Sequence, residues 1–270
     1  MNLYYQGIPW AYGSMAADQA KNNLSQNIGN CFGGETFDDV REKIQEGNIG
    51  VLPIENSYAG SIHTNFYNFL RYETKIIGEI AIDVNHALLG KISDITQIKK
   101  AYSHPQALSQ CHDFLKKHGI EAIAYGDTAS AAKMVAESND ISIAAVSSEY
   151  AADLYHLTKI QTHIQDQTGN TTRFLLVVSK ELDISSKNIT NKTSIIFETK
   201  DMPGALYKSL GCFATNNINL TKIESLPSYK NPFDYLFWID IQGHTHDPKV
   251  AAALDELKFY TVDIRVLGEY

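Results

Sequence analysis

The sequence predicts an α/β chain of two domains, and three observations carry that expectation. From residue 1 to about 180, short apolar runs alternate with helix-like segments, the pattern of a largely parallel sheet flanked by helices. A polar segment poor in apolar residues, KELDISSKNITNK at 180–192, then interrupts and reads as a linker. Behind it the order becomes βαββαβ, a small ferredoxin-like module. The expected division is 1–180, a linker at 181–192, and 193–270.

Taken in order, NLYY reads as a strand and AADQAKNNL as a helix. TFDDVREKIQEG is helical, with Thr36 as N-cap and Gly47 as stop. NIGVLPIE returns to strand and SIHTNFYNFLRY to helix. KIIGEIAIDVNHALLG is one long β-rich stretch, expected to cross between two lobes near 75–90. The alternation resumes with KKAYS, PQALSQCHDFLKKHG, EAIAY, DTASAAKMVAES, ISIAAVS and SEYAADLY, and a return near 157–170 leads to RFLLVVS. The rear module follows as TSIIFET, GALYKSLGCFATN, NLTKIESLP, DYLFWIDIQG, DPKVAAALDELKF and YTVDIRVLG.

Composition narrows the function classes. A formal net charge of −8 argues against a nucleic-acid-binding surface, which needs Lys and Arg in excess on one face. Cys31, Cys111 and Cys212 are far apart and form no C-x-x-C, against a disulfide framework or a zinc site. No apolar run is long enough to span a bilayer, and no basic-then-apolar start is seen, so no membrane association and a cytoplasmic location are expected. There is no H-E-x-x-H, Walker loop or G-x-G-x-x-G. His244 and His246 in GHTHD read as a surface turn before a metal site.

The polar run Asn170-Thr171-Thr172-Arg173, directly before the apolar Phe174–Val178, admits three readings: a solvated turn, a glycosylation acceptor, or a binding site at a strand end. Several other strand ends are also followed by small polar residues and a helix start. AYSHPQAL ends a strand at Ser103, with His104 before Pro105 and the N–H groups of Gln106, Ala107 and Leu108 placed to face an anion. YGDTASAA repeats this with Asp127 or Thr128 as cap, and PIENSYAGS with Glu55, Asn56 and Ser57. In open α/β sheets ligands bind beyond the carboxyl ends of strands. Such ends, joined by the Thr-Thr-Arg cluster, suit a small anion such as a dicarboxylate in a cleft between lobes.

At these stretches the chain resembles the prephenate dehydratase family. YQGIPWAY, PIENSYAG, SHPQALSQC, GDTASAA and NTTRF resemble its motifs in order, the last fitting N-x-T-R-F. The rear module resembles the ACT regulatory domain through PGAL at 203–206 and NLTKIESLP at 219–227. The resemblance implies a two-lobed, type II periplasmic-binding-protein-like catalytic domain followed by a ferredoxin-like ACT domain. It implies decarboxylative dehydration of prephenate to phenylpyruvate in phenylalanine biosynthesis, with no metal or organic cofactor. It also implies a homodimer or homotetramer joined through ACT domains, with phenylalanine as effector. The helical chorismate mutase domain fused to some bacterial homologues is not in this sequence, so a monofunctional enzyme is expected. Arogenate dehydratase shares the motifs, and a catalytically silent anion-binding or sensor protein is the non-enzyme alternative.

Carried onto these residues, Thr172 is expected to polarise the leaving hydroxyl, since a threonine is too weak an acid for ordinary general-acid work. Glu55 either supplies a proton from a raised pKa or pairs with Arg173. Arg173 and the N–H groups after Pro105 are expected to hold the pyruvyl carboxylate, with a structural ion pair as the other reading of Arg173. Asn56, Ser57, Ser103, His104, Gln106, Ala107, Thr128, Asn170, Thr171 and Phe174 complete the expected substrate site. The phenylalanine site maps onto Gly204, Ala205, Leu206, Glu224 and Ser225. Two departures stand out: Trp10 and Gly13 in the opening motif, and Leu226 where the family's E-S-R-P has arginine. The latter leads us to expect weakened inhibition that a Leu226→Arg variant would strengthen.

Overall fold

The computed structural model describes residues 1–24, 28–182, 184, 190–228 and 235–270. Residues 183 and 185–189 of the expected linker lie outside the described residues.

The first lobe contains β1 (Leu3–Gln6), α1 (Tyr12–Asn23), β2 (Cys31–Gly34), α2 (Phe37–Gln45), β3 (Ile49–Asn56), β4 (Gly60–Ser61), α3 (His63–Arg71) and β5 (Thr74–Asp83). Thr36 starts α2 with a capping box: its hydroxyl accepts from Asp39 N–H at 3.1 Å, and the Asp39 carboxylate accepts from Thr36 N–H at 2.8 Å. The short, glycine-rich β2 carries no alternation to betray it. It pairs with β1, and a Cβ on Gly33 would come within 2.1 Å of the Gly7 carbonyl oxygen, so only glycine fits.

The second lobe holds β6 (Ala87–Gly90), β7 (Lys100–Ser103), α4 (Pro105–Gln110), α5 (His112–Lys117), β8 (Glu121–Ala124), α6 (Thr128–Glu137), β9 (Ile143–Ser147), α7 (Glu149–Tyr155) and β10 (Thr158–Gln161). The single helix expected over 105–119 is two. The break has a cause in a distant segment: Asp166 N–H bonds to the Gln110 carbonyl at 2.8 Å, and the Asp166 carboxylate accepts from Asp113 N–H at 3.2 Å and Phe114 N–H at 3.4 Å. A carboxylate thereby caps the second helix.

The chain returns to the first lobe as β11 (Thr171–Ser179). Each lobe's sheet is mixed. The first has parallel β2-β1-β3 extended by antiparallel β11 and β5; the second has parallel β8-β7-β9 extended by antiparallel β6 and β10. In each lobe one reversed strand, β11 or β6, sits between the parallel core and the outer strand, and these added strands carry the chain between lobes without a crossover helix.

The rear module is β12 (Lys192–Thr199), α8 (Ala205–Thr215), β13 (Leu220–Pro227), β14 (Tyr235–Gln242), α9 (Pro248–Leu257) and β15 (Thr261–Glu269), in sheet order β13-β14-β12-β15. One face packs Ile195, Phe197, Ile239 and Ile241 against the two helices. The other face enters the first lobe's core: Trp238, Leu226 and Ile196 cluster with Leu52, Ile54, Phe66 and Phe69. Phe66 and Phe69 meet Trp238 edge-on, with centroids 4.9 and 5.1 Å away. Each such buried side chain contributes roughly 1.5–3 kcal/mol.

Candidate active site

A cavity of about 260 Å³ lies where the two lobes meet. Asn56 ends β3, and Asn170 and Thr172 lie at the start of β11. From the second lobe come His104, Gln106, Ala107 and Gln110 of α4 and its cap, with Asp127 and Thr128 at the start of α6. Tyr12 and His86 close one side, and Ala59, Ile62 and Val84 supply apolar wall.

A turn of backbone orders the hydrogen bonds around Thr172. Asn56 Oδ1 accepts from Tyr58 N–H at 3.0 Å and Ala59 N–H at 2.9 Å, which leaves its Nδ2 as donor toward the cavity. That nitrogen donates to Asn170 Oδ1 at 2.6 Å and Thr172 Oγ1 at 2.9 Å. Asn170 Nδ2 then donates to Gln110 Oε1 at 3.0 Å, and His86 Nε2 stands 2.9 Å from the same oxygen. Because Gln110 Oε1 can only accept, His86 carries its proton on Nε2. Burial holds the His86 pKa below the ordinary histidine value, against the opposing pull of Gln110, so the ring is neutral. Tyr12 completes the line, donating to the Asn85 carbonyl at 2.9 Å beside the His86 ring. Thr172 thus accepts a hydrogen bond, and its own proton has no acceptor among the described residues.

The sequence-predicted residues divide. Asn56, His104, Gln106, Ala107, Thr128, Asn170 and Thr172 line the cavity. Ser57, Ser103, Thr171 and Phe174 do not. The Ser103 hydroxyl is buried and donates to the Val146 carbonyl at 2.6 Å; Ser57 accepts from Thr171 N–H at 3.0 Å and donates to the Gly169 carbonyl at 3.1 Å. Thr171 donates to Asp83 at 2.9 Å, and Phe174 is core. The Gln106 N–H, expected to face an anion, is taken by His104 Nδ1 at 3.2 Å, and Leu108 N–H bonds to the His104 carbonyl.

Arg173 takes the ion-pair reading and not that of a carboxylate clamp in the cleft. Successive residues of a strand face opposite sides, so with Thr172 toward the cleft Arg173 must face away. Its guanidinium binds Glu79 at 2.6 Å, Glu55 at 2.8 Å, Asp240 at 2.6 Å and the Tyr270 hydroxyl at 2.9 Å. Burial opposes its charge, but Asp240, Tyr270, Glu79 and Glu55 outweigh that and raise its pKa. Glu55 resolves likewise to the ion-pair alternative. Burial would raise its pKa, but Lys222 at 2.6 Å and Arg173 bring it below the ordinary value, so it is a carboxylate and no proton store. A bulge at Ile54, where Phe174 pairs with Pro53 and Arg173 with Glu55, shifts the alternation by one, which turns Glu55 to that face and Asn56 to the cavity.

In the rear module, Gly204, Ala205 and Leu206 line a surface depression with Tyr207, Tyr235 and Phe237. Gly204 caps α8 at φ 72°, a left-handed conformation that glycine adopts freely. Ser225 lies opposite Phe237, on the depression's face of the sheet. Glu224 lies opposite Trp238 on the other face, where it accepts from Ser61 and stands 3.5 Å from Lys222. Leu226 is on that same inner face and fully buried, so an arginine there would enter an apolar core.

Tyr12, His86 and Gln110 are site residues that the sequence reading missed. Tyr12 and Gln110 sit inside the quoted YQGIPWAY and SHPQALSQC stretches, while His86 is hidden in a β-rich run. Trp10, the departure in the opening motif, holds φ 68°, a left-handed conformation that favours glycine. It stacks on Tyr150 of the second lobe at 6.2 Å.

The family model for prephenate dehydratase matches residues 3–182, and that for the ACT domain residues 193–259. The chain is 43% identical to a prephenate dehydratase of Methanocaldococcus jannaschii over 86% of this chain and 84% of that protein. It is 41% identical to the chloroplastic arogenate dehydratase/prephenate dehydratase 2 of Arabidopsis thaliana, over all of this chain and 72% of that one. Among solved structures, prephenate dehydratase from Arthrobacter aurescens in complex with L-Phe superposes with TM-score 0.86 at 25% identity, covering 100% of this chain and 89% of that one. A structure described as the quorum-quenching acylase GqqA superposes with TM-score 0.86 at 30% identity, covering 99% and 97%. The ordered motifs, the two-lobed fold with its cleft and these matches agree: the chain belongs to the prephenate dehydratase family and carries an ACT domain.

Proposed function

We propose that the cleft between the lobes converts prephenate to phenylpyruvate, water and CO₂, with Thr172 at its chemical centre. The observation that carries this is the Thr172 hydroxyl, which accepts from Asn56 and keeps its proton for the cavity. Prephenate loses CO₂ from one ring carbon while the ring hydroxyl departs from the opposite one. The electron pair of the breaking C–C bond completes the aromatic ring, and the departing oxygen takes up one proton. Thr172 polarises that oxygen. The amides behind it orient the hydroxyl but do not pass protons, because a protonated amide is too strong an acid to form. The proton that the departing oxygen takes up comes from solvent entering the cleft, while His104, whose Nδ1 accepts from Gln106 N–H, braces the start of α4 in the cavity wall.

Among the described residues, those lining the cavity include no Lys or Arg. That suits the chemistry, since a cation clamped on the departing carboxylate would stabilise it against loss. The Gln106 side chain, Ala107 N–H and Thr128 hydroxyl are the neutral groups we assign to the pyruvyl carboxylate. An acylase activity, as named for the other structure, fits less well: Thr172 is bonded to an amide donor and not to a base that could activate it.

We further propose a cytoplasmic homo-oligomer inhibited by phenylalanine at the Gly204–Leu206 depression. A neighbouring copy would cover Tyr207, Phe259 and Val262, which are 83%, 72% and 66% exposed. Glu198 and Asp201, which line the depression, replace Glu224 as partners for the ammonium.

Asp127 in the cavity wall gives arogenate a specific claim as a second substrate, because a carboxylate there could pair with its ammonium. Turnover of prephenate and arogenate in parallel tests the reading. We expect faster phenylpyruvate formation from prephenate, inhibited by phenylalanine. Turnover of arogenate alone would move the chain to the second reading.

A further inference from the structure

The ACT domain reaches the residue next to Thr172. Arg173 has all three guanidinium nitrogens engaged: Nε on Glu79, Nη1 on Glu55, and Nη2 on Asp240 and the Tyr270 hydroxyl. Glu79 and Glu55 belong to the catalytic strands β5 and β3, whereas Asp240 comes from β14 and Tyr270 follows β15. Asp240 is fully buried and its other oxygen is occupied, accepting from Ser194 Oγ at 2.6 Å and Trp238 Nε1 at 2.8 Å. Ser194 in turn meets the Tyr270 hydroxyl at 2.8 Å. Lys222 on Glu55 and Lys192 on Glu79 tie two further rear strands to the same cluster.

We infer that Asp240, assisted by Tyr270, is a positioning residue for the dehydratase reaction: it fixes Arg173 from the rear domain and thereby the placement of the Thr172 hydroxyl on the opposite face of β11. The inference rests on the catalytic role proposed for Thr172. Two consecutive Cα atoms are about 3.8 Å apart across a planar peptide, so a pull on Arg173 is transmitted to Thr172 with little slack. Misplacement of a catalytic group by about 1 Å costs on the order of a hundredfold, so a partial loosening costs about tenfold.

The test is Asp240→Asn in the full chain. The substitution keeps an oxygen for Ser194 and Trp238 and puts an amide N–H group in place of the oxygen facing Arg173, which removes both the charge and the acceptor there. Arg173, Lys192 and Lys222 would still meet Glu55, Glu79 and Glu224, so no buried cation is left without a carboxylate. We expect kcat for prephenate to fall about tenfold with KM within about twofold, and no further loss when the change is made in a Thr172→Ala background. Wild-type kcat in a folded Asp240→Asn protein would overturn the inference, as would an equal tenfold loss in the Thr172→Ala background. Should Asp240→Asn not fold, Tyr270→Phe removes one contact and is expected to lower kcat about twofold to threefold; wild-type kcat there would overturn it. Thr172→Ala alone separates the two claims: undiminished turnover in that variant defeats the role of Thr172 itself.

Discussion

Asn56 sets the direction of every hydrogen bond that reaches Thr172, because two backbone N–H groups fix which end of its amide faces the cavity. The line runs through His86, 2% exposed, and its buried neutrality has a consequence for pH. The folded pKa lies below the ordinary 6.5, so the unfolded chain binds more protons between those two values. Stability from this group is full above 6.5 and declines as pH falls through that window. Thermal unfolding followed from pH 7.5 to 5 should therefore show Tm falling below about 6.5, and a His86→Gln variant should flatten that slope. An unchanged slope would mean that another group controls it. Glu55, whose pKa is lowered, adds its own loss at more acid pH, below the ordinary carboxylate value. None of this was legible at residue level: His86 looks like one polar interruption in KIIGEIAIDVNHALLG, and its partners come from α1 and α4. Thr172, Asn56 and Asn170, by contrast, stood out because polar residues crowded strand ends.

Strand alternation decides which of those polar residues can act together. β11 sends Thr172 to the cleft and Arg173 to the rear domain, and β13 sends Ser225 outward and Glu224 and Leu226 inward. The two-residue period was available from the sequence; applied to Thr172-Arg173, it separates the hydroxyl proposed as catalytic from an ion-paired cation. The bulge at Ile54 was not available, since it depends on the pairing of β3 with β4 and β11. At Leu226 the element reverses an expectation. An arginine there would bring a charge into the cluster of Trp238, Phe66 and Phe69, at a cost of about 3 kcal/mol or more. Leu226→Arg should lower Tm by several degrees without strengthening inhibition by phenylalanine. A variant with wild-type Tm and tighter inhibition would restore the sequence-based expectation.

The whole molecule is more continuous than its two-part sequence suggests. The polar segment at 180–192 marks a change of architecture, yet β15 adds to β5 through Gly268 and Ile76, and one sheet runs from β13 to β2. A Cβ on Gly268 would come within 2.1 Å of the Ile76 carbonyl oxygen, so glycine permits the junction. Alternation and motif order made both architectures legible, but the seam could not be read, because it is built from Trp238, Leu226 and Asp240, which look like ordinary sheet residues in their own module. The Thr172 hydroxyl proposed as catalytic is bonded by an amide in the cleft, and its neighbour Arg173 is bonded by Asp240 of the rear domain. The most direct test of this account is phenylpyruvate formation from prephenate by the full chain with Thr172 replaced in turn by Ala and Ser. The account predicts a fall in kcat of about a hundredfold or more for Thr172→Ala, with folding retained, and partial recovery for Thr172→Ser. Thr172→Ala protein that is folded and turns over prephenate at the wild-type rate would contradict it.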